Sequence, residues 1–412
     1  MALNIIFELF RMLWALRGYM IALLMFVLGI RFKSSKYLTF LYGIYCWILI
    51  GLNTVSADYD AFKEMYYCCF AERYSGHEPG YLALCKLFYS LGFSFEAFRA
   101  IAGAIIVIIL ISGIKKITPK TNYVLSLMLI FPLVSLVSGL RNSFSYVIML
   151  HGMYYLLNGV NSDNKFRKPS RFRVLLKKKD LPGNKNDERK KLLKFIFCVI
   201  IATMFHYSSL FYLVFLYAKY SKKKTTSLMV QTLAIVSIVI VMFQTGLLFR
   251  IISRLTSREK TLNWFPSSST AYVSPLYIVT LALFGILLFL LYRCRVVSEL
   301  RGLTAANNTS AINKNNILVI SRIMVVSFLA FAGAVGSSVV FLRLVILPIP
   351  LSYCAFSECL TVYQGDSYRV QREVTIIRLF IYGFAALAAL FVYGYWIGGN
   401  NLQQYINNLV FA

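Results

Sequence analysis

The chain of 412 residues is 59% hydrophobic and 14% charged, with a mean hydropathy of +0.68, a composition that excludes an ordinary water-soluble domain. Its net charge of +27 sits in short Lys and Arg clusters between apolar runs of about twenty residues, a pattern that sets membrane topology and offers no basic face to nucleic acid. Eight cysteines (Cys46, Cys68, Cys69, Cys85, Cys198, Cys294, Cys354 and Cys359) show no Cys-x-x-Cys spacing. That spacing argues against a zinc site or disulfide framework, with room left for one bridge among Cys68, Cys69 and Cys85.

The apolar runs predict an all-α fold: a polytopic integral-membrane helical bundle of about 11 spans plus re-entrant or interfacial helices, forming one transmembrane domain over 1–412. Residues 1–9 read as an interfacial lead-in to a first span over 12–30, which continues too far to be a removable signal peptide. Arg31, Lys33 and Lys36 put the next turn in the cytoplasm, and a second span over 37–55 leads to an acidic extracytoplasmic segment, 56–94. Within it, residues 78–93 alternate apolar and polar side chains, as a short re-entrant or interfacial helix with Pro79 in its first turn would. A third span over 95–114 returns to Lys115, Lys116 and Lys120, a fourth over 123–137 rises to Arg141 at the outer face, and a fifth over 144–157 descends again.

Residues 160–194 hold thirteen Lys or Arg against four acids and read as a solvated basic cytoplasmic loop that touches anionic lipid. The apolar run 195–220 ends at Lys219 and Lys222 to Lys224, so a hairpin turning near His206 keeps both basic clusters on one side. Spans over 228–249, 273–292, 317–333, 338–360 and 374–396 complete the bundle, with a cationic extracytoplasmic loop, 250–272, carrying Arg250, Arg254, Arg258 and Lys260. Arg293, Arg295, Arg301 and Lys314, then Arg369 and Arg372, mark the last cytoplasmic loops. The chain carries no internal repeat and no matched helix interruptions of the kind that mark many transporters.

The acids concentrate oddly. Asp58, Asp60, Glu64, Glu72 and Glu78 lie close together in a protein with only sixteen acids, and carboxylates beside a bilayer are costly to bury. Three candidates for a general base stand out: Asp58 or Asp60, Glu78, and His206. Asp58-Tyr59-Asp60 also has the look of a metal-binding acid pair, although two such acids are common in loops and no metal is assigned to the site. Glu78 could merely favour a helix start, and His206 could be a hydrogen-bonded packing residue. Arg343 lies inside an apolar run, where a buried functional cation is the better account than snorkelling. Tyr59, Tyr81 and Trp264 could stack on sugar rings or belong to an interfacial aromatic belt. His77 and His151 are given no functional role.

The order of Asp58-Tyr59-Asp60, Glu78-Pro79-Gly80-Tyr81, Gly139-Leu140-Arg141-Asn142-Ser143, Phe205-His206-Tyr207-Ser208-Ser209, and Arg343 leading into Leu347-Pro348-Ile349-Pro350 resembles the EpsG family of Wzy-type polysaccharide polymerases. The resemblance implies a GT-C-like membrane glycosyltransferase in a bacterial plasma membrane. Such an enzyme joins polyprenyl-diphosphate-linked oligosaccharide repeats into an exopolysaccharide, capsule or O-antigen on the extracytoplasmic face. Its partners would be the lipid-linked donor and acceptor, membrane lipid, and chain-length regulator and flippase proteins, with no cofactor. The residues suit that chemistry: Arg141, Arg343, Arg254 and Arg258 are guanidinium forks able to bind a diphosphate leaving group as its charge grows. A lipid-linked oligosaccharide flippase or a polysaccharide ligase would use much of the same site.

Overall fold

The structure is a computed structural model describing residues 17–52, 54, 58–74, 77–130, 132–133, 136, 139–157, 185–221, 224–245, 247, 275–304, 314–330, 344–345, 347–361 and 366–397. Every regular element among them is helical. In chain order these are α1 (Arg17–Arg31), α2 (Lys36–Gly51), α3 (Tyr59–Tyr67), α4 (Pro79–Ser90), α5 (Phe95–Ile117), α6 (Thr121–Ile130) and α7 (Leu140–Leu157). They continue as α8 (Lys185–Phe205), α9 (Val214–Tyr220), α10 (Thr225–Gln244), α11 (Pro275–Thr304), α12 (Lys314–Ser327), α13 (Pro348–Cys359) and α14 (Tyr368–Ile397). Two stretches among the described residues, Phe95–Ile117 and Thr225–Met242, are long and apolar enough to cross a membrane by themselves.

Local chemistry sets the helix ends. Ser94 opens α5 by accepting from the Ala97 N–H (3.2 Å), Glu96 sits in its first turn, and Lys115 and Lys116 sit in its last, each charge matching the helix dipole. Of the expected span over 123–137, α6 covers the part up to Ile130, and Leu133 and Leu136 are also helical among the described residues. Of the expected span over 338–360, Leu344, Val345 and α13 from Pro348 are helical among the described residues, and the missing N–H of Pro348 is tolerated in the first turn of α13. Conversely, the expected span over 273–292 runs on to Thr304 as α11, and an Arg295–Glu299 pair one turn apart (3.0 Å) supports its polar end. The acidic segment contains a helix that its composition had hidden, α3.

The run 195–220 folds back. Helix α8 ends at Phe205, His206 is extended (φ −157°, ψ 114°), and a 3₁₀ turn over Tyr207–Leu213 leads into α9. Tyr220 then reaches Glu188 at the opening of α8, so both arms of the hairpin begin and end on one side.

One end of the bundle is closed by a polar clamp. Helix α13 is buried along its whole length, and cations from three other elements take the carbonyls of its last turn. Lys120 Nζ donates to Ser357 O (2.9 Å) and to Glu358 Oε2 (3.1 Å). Arg301 donates through Nη2 to Thr361 O (2.5 Å) and Asp366 Oδ2 (2.9 Å), and Arg378 Nη2 donates to Leu360 O (3.0 Å). Glu358, itself buried, also accepts from Thr118 Oγ1 (2.7 Å). Thr118 and Lys120 follow α5, whose 23 residues rise about 34 Å, so the start of α5 lies that far away at the other end.

Candidate functional site

At that other end, three helix termini converge. Pro79 starts α4 and leaves Glu78 at its N-cap, Leu140 starts α7 with Arg141 in its first turn, and His206 ends α8. Gly80 makes the approach of α4 to α8 feasible: a Cβ there would stand 3.0 Å from Met204 Cβ and from its carbonyl oxygen. Stacked Phe144 and Phe205 rings (4.9 Å between centroids) hold α7 against α8, and a Ser145–Ser209 hydroxyl contact ties α7 to the 3₁₀ turn that follows. Tyr207 ties the turn to the acidic segment by donating to His77 O (3.2 Å).

The result joins three of the expected residues. Arg141 Nη1 donates to Glu78 Oε2 at 2.6 Å, and His206 Nδ1 lies 3.1 Å from Glu78 Oε1. The Glu78 carboxyl is buried, which by itself pushes its pKa up. The His206 hydrogen bond and the Arg141 charge outweigh that and hold it down at about 2. An ionised carboxylate can only accept, so Nδ1 of His206 carries a proton and, in the neutral ring, Nε2 is left with its lone pair. Arg141 is also braced over the Phe62 ring (5.1 Å from Cζ to centroid).

Four polar atoms on and beside this trio lack partners among the described residues. His206 Nε2, Arg141 Nε, Asn142 Oδ1 and Ser208 Oγ are buried and have no hydrogen-bond partner among the described residues. Buried polar atoms are rarely left so, and four at the meeting point of three helix ends mark a place for a polar ligand.

Other expected residues lie apart from the trio's hydrogen bonds. Asp58 occupies the N-cap position of α3, partly exposed, and Asp60 is exposed in its first turn. Tyr59 donates to Glu96 Oε1 (3.1 Å), and its ring carries the Arg99 guanidinium at 5.4 Å. Tyr81 is 1% exposed, edge-on to Phe62 (5.7 Å) and Phe98 (6.1 Å), so stacking a sugar on it would require opening those contacts. Arg343, Arg254, Arg258 and Trp264 lie outside the described residues. Among the described residues no group of three or more His, Cys, Asp or Glu side chains could hold a metal ion. Sequence reasoning missed Phe62 and the Gly80–Met204 approach. A glycine following Pro79 in the first turn, where neither a turn nor a cap requires it, was the available signal for the latter.

Comparison with known proteins gives one family. The family model described as the EpsG family matches residues 36–167 and 185–407. No curated protein and no solved structure matched.

Proposed function

The chain belongs to the EpsG family, and from that membership and the Glu78–Arg141–His206 geometry we propose that it is a multi-pass membrane glycosyltransferase of the Wzy type. It would polymerise polyprenyl-diphosphate-linked repeats into an extracellular polysaccharide, with its site on the extracytoplasmic face of a bacterial inner membrane. The remaining expected spans, to a total of about 11, belong to this proposal, as does the orientation, which rests on the basic clusters that share an end with the polar clamp.

The observation that carries the reading is the trio itself, a carboxylate bridging a guanidinium and an imidazole whose far nitrogen has no partner among the described residues. In the proposed reaction, a hydroxyl of the acceptor repeat attacks the anomeric carbon of the donor glycan. The bond from that carbon to the diphosphate oxygen breaks, and its electron pair leaves with the diphosphate. The hydroxyl proton passes to His206 Nε2, the general base. Glu78 is a positioning residue, fixing the tautomer and steadying the imidazolium that forms. Arg141 holds the leaving diphosphate, and its attraction grows as negative charge accumulates there. Because the leaving group is stable as an anion, no general acid is required. Arg343, Arg254 and Arg258 are proposed as further diphosphate ligands, and Tyr59 and Trp264 as sugar contacts. Asp58 and Asp60 fit this reaction less well than His206, since neither joins the hydrogen bonds of the trio.

Purified protein in lipid nanodiscs, given native lipid-linked repeats, should produce a ladder of longer glycans on a gel. The ladder should be lost in His206→Ala and Arg141→Ala proteins that remain folded. Nanodiscs enclose no compartment, so transport alone yields no signal. Normal ladders from both variants would overturn the assignment.

A further inference from the structure

Helices α2 and α5 touch and then part. A Cβ on Gly103 would lie 2.5 Å from Gly51 Cα, so the two backbones are in contact there, and Trp47 Nε1 donates to Ala100 O (2.9 Å) beside the crossing. From that point toward Lys36 and Lys115 a cleft of about 480 Å³ opens between the helices. Its walls are apolar, with Phe40, Ile44, Trp47, Val107, Ile108 and Ile111 along them, and Phe40 and Ile108 are 69% and 67% exposed. The twelve residues from Lys36 to Trp47 rise about 16 Å from first to last, long enough for much of an acyl chain.

The cleft's polar groups differ in what they are free to do. Thr39 Oγ1 is committed to Ser35 O (2.8 Å) and Asn122 Oδ1 (2.7 Å), and Ser112 Oγ to Ile109 O (3.1 Å) and His151 Nε2 (3.0 Å). Lys36 and Lys115 are exposed at the wide end, and neither forms an ion pair with another described residue. Two open ammonium groups at the mouth of an apolar slot complement an anionic headgroup on a hydrocarbon tail.

We propose that this cleft binds one anionic phospholipid, its phosphate between Lys36 and Lys115 and one acyl chain along Phe40, Ile44 and Trp47 toward the Gly51–Gly103 crossing. The site rests on the membrane immersion of α2 and α5 in the proposed reading, and it is independent of the chemistry assigned to the trio. A zwitterionic lipid carries its own cation beside its phosphate and gains less from the paired lysines.

The test uses full-length protein with Trp14→Phe, Trp264→Phe and Trp396→Phe, leaving Trp47 as the sole tryptophan, in vesicles of phosphatidylcholine and phosphatidylglycerol. In each sample one of the two lipids carries bromine in mid-chain. Quenching of Trp47 should report an association constant at least fivefold higher for the brominated phosphatidylglycerol. With K36Q/K115Q that preference should disappear. Equal quenching by the two lipids with the lysines in place, or an unchanged preference in the double variant, would overturn the proposal. If the single-tryptophan protein shows the preference while the native protein makes no polymer, the lipid site stands and only the catalytic assignment falls.

Discussion

The two polar ends of the bundle use the same kinds of side chain to opposite purpose. Around the end of α13, Lys120, Arg301 and Arg378 meet Glu358, Asp366 and a row of backbone carbonyls, and the donors are matched by acceptors within the protein. Around Glu78, one carboxylate serves two donors, and the far sides of Arg141 and His206 are unmatched within the described residues. A buried charge that is fully paired holds a fold together. One that is paired on a single side is poised to hold something else.

Four experiments would break or sharpen that contrast. The largest effect is expected from Glu78→Gln, which keeps the shape but lets the His206 ring adopt either tautomer. Polymer formation should fall roughly 10²- to 10⁴-fold with the helices intact by circular dichroism. Retention of full activity would mean that the carboxylate serves only to anchor α4. Gly80→Val comes next. Its new side chain must displace Met204 backbone, and a shift of about 1 Å between Glu78 and His206 should cost about 10- to 100-fold in rate. If the rate stays level, the α4–α8 approach is incidental.

At the clamp the sign of the contrast reverses. Glu358→Gln should lower stability by about 1–3 kcal/mol in a detergent unfolding titration, while turnover per folded molecule stays at the native value. A selective loss of turnover there would tie the two ends together functionally. The smallest effect is the pH dependence of the site pair. Because the folded Glu78 carboxyl is depressed from 4.5 to about 2, its contribution is present above about 4.5 and is lost as pH falls toward 2. The stability gap between native protein and Glu78→Gln should therefore be flat from neutral pH down to about 4.5 and close below it. A gap that closes near neutrality would place the linkage elsewhere.

Much of the helical content was written in the apolar runs, because a stretch of twenty such residues has few other ways to satisfy its backbone in a membrane. Where an expected boundary slipped, charge was underweighted: the charged tail of α11 carried that helix on to Thr304. The members of the trio were nameable individually, since Glu78, Arg141 and His206 each looked out of place. Their meeting was not, because they are 63 and 128 residues apart and no local pattern encodes which helix ends touch. Acid density drew attention to Asp58 and Asp60, but density measures composition, while the partners a carboxylate such as Glu78 meets are set by which helix ends touch. The clamp was invisible for a related reason. Glu358 was absorbed into an apolar run, and Lys120 and Arg301 had already been explained as topology signals.

The sequence separations within the trio also govern how the protein is made. Glu78 leaves the ribosome 63 residues ahead of Arg141 and 128 ahead of His206. Until α7 is synthesised its carboxylate has no guanidinium to meet, and α4 has reason to stay in contact with water. Synthesis of α7 supplies the first partner, and only the fold-back at His206 supplies the second. Of the three, the imidazole arrives last, so a nascent chain that has passed α7 but stops short of that turn holds the Glu78–Arg141 pair without its third member.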